Sequence, residues 1–426
     1  MKQTVDLLVH SAGQLCTVPA HNSGPQRGRA LGDLGLVNGG AVAIHAGQVV
    51  AVGASDALRA AYVGAREIDA EGRLVTPGLV DPHTHLIWAG ERADEFERRL
   101  RGATYQEIMA AGGGINSTVR ATRQASLDAL VETGVRRLDT MMAHGTTTVE
   151  GKTGYGLDTA TEVRLLAALA RLDAAHAVDV VPTFLGAHAV PPEFAGQTDA
   201  YVDYLIGEMI PAVQAWRVRA WPGTLFCDVF CEAGVFDLKQ TRRILEAGAG
   251  AGMALKVHAD EFENLGGVGL GVEMGAVSVD HIVETSDAEI AAVGRSNTVA
   301  VSLPATPFGL GHTKYTPARK FLDAGAALAI ATDCNPGTAW CENMQFVMAL
   351  ATRYLGLTQG QTLAAATINA AFAVGRGDLV GSLEVGKQAD LVIWAADDYR
   401  LLGYRFGVNL VETVIKRGRA VVGRLA

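Results

Sequence analysis

Hydrophobic and polar positions change rhythm twice along this chain. In the first seventy-odd residues, short β-rich runs (VDLLV, AVAIHAGQVVAVG, REIDAEGRLV) alternate with glycine turns. The last forty residues repeat the pattern in GSLEVGKQADLVIW and VETVIKRGRAVVG. Between Thr76 and about Gly375, apolar runs of strand length alternate with helical stretches, which is how repeated βα units read. Eight such runs can be counted: LVTPGLVDPH, TTTVEG, AVDVVPTFLGAH, LFCDVFCE, ALKVHADE, VSVDHI, VAVSLP and ALAIATD. Helices are expected over Ser126–Met142 and Thr159–Ala175, each long enough for a crossover between parallel strands. The pattern therefore predicts an α/β fold, with a TIM-like (β/α)8 barrel over residues 76–375. Residues 1–75 and 376–426 are too few to build separate cores, so the two ends are expected to pair as one small β-sandwich domain.

Composition narrows the function without naming it. With 426 residues, 49% hydrophobic and 19% charged, the chain has ample length for a large core. A net charge of -9 leaves no basic footprint for nucleic acid or an anionic membrane, which favours a small-molecule ligand. The amino terminus lacks the apolar core of a signal peptide, and no run is long and apolar enough to span a bilayer. Five cysteines, without paired spacing, fit a reducing compartment, so a cytoplasmic location is expected. Cys227 and Cys231 sit in an apolar run and read as buried packing rather than as metal ligands.

Chemistry gathers where a barrel would place it. Active sites of such barrels lie at the carboxyl ends of the strands. The runs end in His83-Thr84-His85, Glu150, His188, Glu232, His258, His281 and Asp333, so five of the chain's eleven histidines fall at these ends. Residues i and i+2 of a strand share a face, which lets His83 and His85 point at one cation. His258 and Asp333 would complete a shell of three nitrogens and one oxygen with room for water. Glu261, three residues beyond His258, and His281 are placed to move protons beside that water. Asp280 reads as a support or capping group. Lys152 reads as a member of a structural ion pair, and Lys256, on the face of His258, needs a buried partner that the sequence does not identify.

Longer motifs carry a resemblance. PGLVDPHTHLIWAGERADEFERRLRGATYQEIMAAGGGINSTVRATR, GTTTVEGKTGYGL, FLGAHAVPPEF, DVFCE, HADE and ATDCNPGT together resemble the imidazolonepropionases of the amidohydrolase superfamily over nearly the whole chain. PGxxDxHxH alone would indicate only an amidohydrolase; the continuation through the triple glycine points to this family. The resemblance implies hydrolysis of 4-imidazolone-5-propanoate to N-formimidoyl-L-glutamate in histidine degradation. It implies one zinc or iron ion on His83, His85, His258 and Asp333, because the fourth run ends Cys231-Glu232 instead of in the lysine that bridges two metals elsewhere in the superfamily. It also implies substrate contacts from Arg92, Tyr155, His188, Glu261, Asn335, Gly337 and Thr338, catalytic roles for Glu261, His281 and Asp333, and a homodimer. By itself Arg92 would read as a solvated charge in ERADEFERR, whereas the place of His188 at the end of the third run, before Pro191-Pro192, favours a pocket role over a packed loop histidine. Gly112-Gly113-Gly114 lacks the lysine and serine of a phosphate loop and reads as a bending segment beside the site. The HxxE spacing with an aspartate on the eighth run would also suit deamination of a heterocycle, and loss of metal would indicate a scaffold without activity.

Overall fold

The computed structural model describes residues 2–103, 107 and 113–423; Gly112 of the glycine stretch lies outside them. Five strands open the chain: β1 (Gln3–Cys16), β2 (Leu36–His45), β3 (Gln48–Ala54), β4 (Tyr62–Asp69) and β5 (Leu74–Pro77). Eight follow in the middle: β6 (Leu79–Asp81), β7 (Thr146–Lys152), β8 (Asp179–Ala187), β9 (Phe226–Cys231), β10 (Ala254–Ala259), β11 (Ser278–His281), β12 (Val299–Ser302) and β13 (Ala327–Ile330). The last three are β14 (Leu391–Trp394), β15 (Val411–Lys416) and β16 (Arg419–Val422).

The middle eight form one parallel sheet in chain order from β6 to β13. The backbone just past the outer two strands closes the ring. The Asp333 N–H donates to the His83 carbonyl and the His85 N–H to the Cys334 carbonyl, both at 3.0 Å. Thr332 adds its N–H and hydroxyl to the Asp81 carboxylate at 3.1 and 2.5 Å. The aspartate of the histidine motif is thus a barrel staple. The expected crossovers form over Leu127–Ala143 and Thr159–Ala175, started by the side chains of Ser126 and Asp158, which accept the free N–H groups of Ala129 and Thr161.

The two chain ends meet in one mixed sheet ordered β16-β15-β14-β5-β1-β2-β3, with β4 also pairing with β1. Alternation along the strands divides the apolar residues. Leu7, Val9, Val42, Ile44, Leu391 and Ile415 pack in one cluster, while Leu8, Ala41 and Ala43 pack with Leu58 of the short helix Ser55–Ala61 in another. The first apolar run, read as one strand, divides at Gly78: β5 joins this sheet through β1 and β14, and β6 enters the barrel. A Cβ on Gly78 would lie 2.3 Å from the Thr147 hydroxyl, so the crossing point has no room for a side chain.

Candidate active site

Inside the barrel the period of two turns charged side chains inward. Glu150 and Lys152 share a face of β7, and Lys256 and His258 share one of β10; all four are buried with Asp228 of β9 and Asp280 of β11. Buried charges persist only when paired. The Lys152 ammonium donates to Glu150 and Asp228, each at 2.7 Å. Lys256 donates to the carbonyls of Pro82 and Ala373 at 3.1 and 3.2 Å and lies 3.5 and 3.7 Å from Glu150 and Asp280. These are the partners that the sequence left unidentified.

Above this charged layer the histidines converge. His83 Nδ1 hydrogen-bonds Asp280 at 2.7 Å, which leaves Nε2 facing Asp333 Oδ1 at 3.6 Å. His85 Nε2 stands 3.5 Å from the same oxygen and 3.5 Å from His258 Nε2. His258 is held from below by Asp228, which accepts the His258 backbone N–H at 3.2 Å and approaches Nδ1 to 2.8 Å. Two overlapping triads, His83-His85-Asp333 and His83-His258-His281, keep their potential ligand atoms within 4.8 Å of one another. His83 Nε2 and Asp333 Oδ1 are buried and have no hydrogen-bond partner in the protein. Buried polar atoms are nearly always satisfied, so unpartnered lone pairs aimed at one point are the arrangement a cation requires. The donor set fits a divalent metal ion.

The electrostatics follow the packing. Burial and neighbouring cationic groups hold His83, His85 and His281 well below the usual histidine range, so their nitrogens are free to donate lone pairs. Burial, with Asp333 and Glu232 beside it, raises Glu261 well above the ordinary carboxylate range. Asp333 is raised to about 6, chiefly by burial, against the hydroxyl of Thr306, which donates to its Oδ2 at 2.5 Å.

The remaining predicted residues surround this centre. Glu261 Oε2 lies 3.7 Å from His281 Nε2, and a cavity of about 460 Å³ opens beside both. The His188 ring stacks on His85 at 4.8 Å, with Tyr155 5.3 Å from His188. Asn335 donates to the Asp333 carbonyl at 2.7 Å and accepts the N–H groups of Gly337 and Thr338, both at 2.8 Å. Arg92 packs over Gly337 at the edge of a second cavity of about 540 Å³. Its Nε donates to Glu95 at 2.8 Å, and Glu95 also accepts the Gly114 N–H at 3.0 Å, which fixes the described end of the glycine stretch beside the site. The sequence predicts Glu232 as the polar end of the fourth run, but the residue of that strand that reaches the histidines is Asp228, in the middle of FCDVFC. A lone aspartate in an apolar strand was the available signal. Glu232 instead accepts the backbone N–H groups of Phe262 and Glu263 at 2.9 and 3.1 Å and shapes the loop that carries Glu261.

Comparison with known proteins agrees with this geometry. Two models described as amidohydrolase family match residues 66–180 and 245–421. Imidazolonepropionase from Herpetosiphon aurantiacus is 51% identical over 418 residues, covering 98% of this chain and 97% of that one. The enzyme of the same name from Chloroflexus aggregans is 51% identical over 423 residues, with 98% of each chain covered. Among solved structures, E. coli guanine deaminase superposes with a TM-score of 0.73 at 15% identity, covering 98% of this chain and 99% of that one. The 5-methylcytosine deaminase from Klebsiella pneumoniae gives 0.72 at 18% identity, with 98% of each chain covered; at such identities the likeness shows the barrel fold alone. Half of all positions shared over almost the entire length is of another order, and this chain belongs to the imidazolonepropionase family of amidohydrolase enzymes.

Proposed function

We propose that the protein hydrolyses 4-imidazolone-5-propanoate to N-formimidoyl-L-glutamate in histidine degradation, with one zinc or iron ion held by His83, His85, His258 and Asp333. The observation that carries the reading is the convergence of these side chains, with the buried lone pairs of His83 Nε2 and Asp333 Oδ1 unpartnered, at the barrel mouth of a chain half identical to imidazolonepropionases. The chemistry such an ion supplies is Lewis acidity toward water and a carbonyl. Glu261 takes the proton of the attacking water. His281, 3.7 Å away, orients that water. Oxygen adds to the ring carbonyl carbon, the ring carbon–nitrogen bond breaks, and the proton that Glu261 took passes to the leaving nitrogen by way of Asp333 or His281. Arg92 holds the propanoate through paired hydrogen bonds, while Tyr155, His188, Asn335, Gly337 and Thr338 line the ring's place. The enzyme works in the cytoplasm as a homodimer. Barrel residues 76–375 carry the chemistry, and the domain built from residues 1–75 and 376–426 carries none.

The test is turnover of freshly generated 4-imidazolone-5-propanoate by purified protein of known metal content, scored as N-formimidoyl-L-glutamate above the spontaneous background. Formation of that product with about one metal per chain supports the reading. Absence of product, or release of ammonia from an aminated heterocycle instead, overturns it. Light scattering of the same sample reads the dimer.

A further inference from the structure

We infer that Asp228 and Asp280 are positioning residues for the metal site, with Lys152 as the shared internal cation that keeps both carboxylates turned toward it. The inference deepens the reading above and rests on it. Asp280 fixes His83 by a 2.7 Å hydrogen bond to Nδ1, which commits the opposite nitrogen, Nε2, to the centre. Asp228 holds His258 from the neighbouring strand by accepting its backbone N–H at 3.2 Å and standing 2.8 Å from its Nδ1. Neither carboxylate is free to swing. Lys152 holds Asp228 at 2.7 Å, lies 3.7 Å from Asp280 and is itself anchored to Glu150 at 2.7 Å. Every member is fully buried, so no water competes for these contacts. The layer spans β7, β9, β10 and β11, and ties two of the four proposed ligands to strands that contribute none.

The layer also accounts for Lys152 at the end of β7. A lysine there could serve as a bridge between two metals only as a ligand, but this one already spends its donors on two carboxylates. It acts as a fixed positive charge beneath the site.

Wild-type protein, Asp228→Asn and Asp280→Asn would be stripped of metal and titrated with cobalt(II), following the visible absorption bands and the dissociation constant. An amide in place of either carboxylate leaves a ring nitrogen without its anionic partner. The expected result is a 10- to 100-fold loss of cobalt affinity with altered bands. Both quantities are read in folded protein and do not depend on turnover. Because Asp228→Asn strands the Lys152 charge, the charge-balanced double variant Lys152→Met/Asp228→Asn decides the matter if the single one fails to fold; it should fold and still bind cobalt weakly. Wild-type affinity and bands in the aspartate variants would overturn the inference. Failure of the wild-type protein itself to take up one cobalt would overturn the metal-site reading instead.

Discussion

At the scale of single residues the site combines conformational strain with tight packing. His281 and Asp333 sit in the left-handed region at φ of 77° and 53°, as does Asp260 at 57° between His258 and Glu261. Non-glycine residues rarely adopt this region, and each is held there by the bonds around it. The chain turns sharply at these strand ends, and His281 and Asp333 join the converging histidines. Two substitutions test the proposed roles. Glu261→Gln keeps the shape but removes the base, so kcat should fall about 10²- to 10⁴-fold with metal content unchanged; turnover near wild type would remove Glu261 from the reaction. Gly337→Ala acts through Arg92. Its new Cβ would lie 2.5 Å from an Arg92 Nη, and the flexible guanidinium would have to give way. Displacing a carboxylate grip should raise KM about tenfold with kcat little changed, equivalent to about 1.4 kcal/mol of binding. A fall in kcat alone would place Arg92 elsewhere in the mechanism.

At the scale of elements, the terminal sheet is fastened to the barrel by charge as well as apolar packing. Asp179 begins β8 at the end of the barrel remote from the site, and receives Lys416 of β15 at 2.7 Å, Gln388 at 2.8 Å and the guanidinium of Arg417. Lys416 also reaches Asp390 at 2.7 Å. Burial alone would raise the Asp179 pKa, but Lys416, Gln388 and Arg417 outweigh it and hold the carboxyl below its ordinary value. A depressed folded-state pKa stabilises the protein above the unfolded value, about 3.9, and that contribution is lost as pH falls through the folded value. Asp179→Asn should therefore cost about 1–2 kcal/mol at pH 7, because Lys416 loses one of its two carboxylate partners and keeps Asp390. The gap to wild type should narrow below about pH 4. Parallel thermal melts at pH 7 and pH 3 measure this, and a gap that stays constant with pH would show that shape rather than charge makes the joint.

The whole molecule explains what the sequence could and could not disclose. Strand ends were legible because seven of the eight apolar runs stop at a polar residue, and the barrel brings the carboxyl ends of its strands to one rim. Thus His83, His258, His281 and Asp333 could be named as candidates without knowing any distance between them, and the fold brings them together. Asp228 was harder to read: a lone aspartate in an apolar strand signals a buried partner, but only the fold shows that the partners are Lys152 and His258, on other strands. Lys256 had the same difficulty, since two of its partners are the backbone carbonyls of Pro82 and Ala373. The break at Gly78 was also hidden, because both halves of the run are apolar and only tertiary pairing assigns them to different sheets.

The same convergence that defines the site also predicts how its occupant affects stability. The unpartnered nitrogens and oxygens are brought together only by the folded barrel, as His83 and His85 are more than 170 residues from His258 and 240 from Asp333 in the chain. An unfolded chain offers no comparable site, so a bound ion stabilises the native state by mass action, by about 4 kcal/mol at a thousandfold excess over Kd. Removing it should lower the melting temperature by several degrees without unfolding the protein, since the apolar core and the charged layer beneath the histidines do not include the ion. Far-ultraviolet circular dichroism should stay unchanged after chelation, and adding back zinc or ferrous ion should restore the melting temperature with a saturable dependence on concentration. A melting temperature indifferent to chelation and re-addition would mean that these side chains hold no ion of consequence, and collapse of the fold on chelation would mean that the ion is structural.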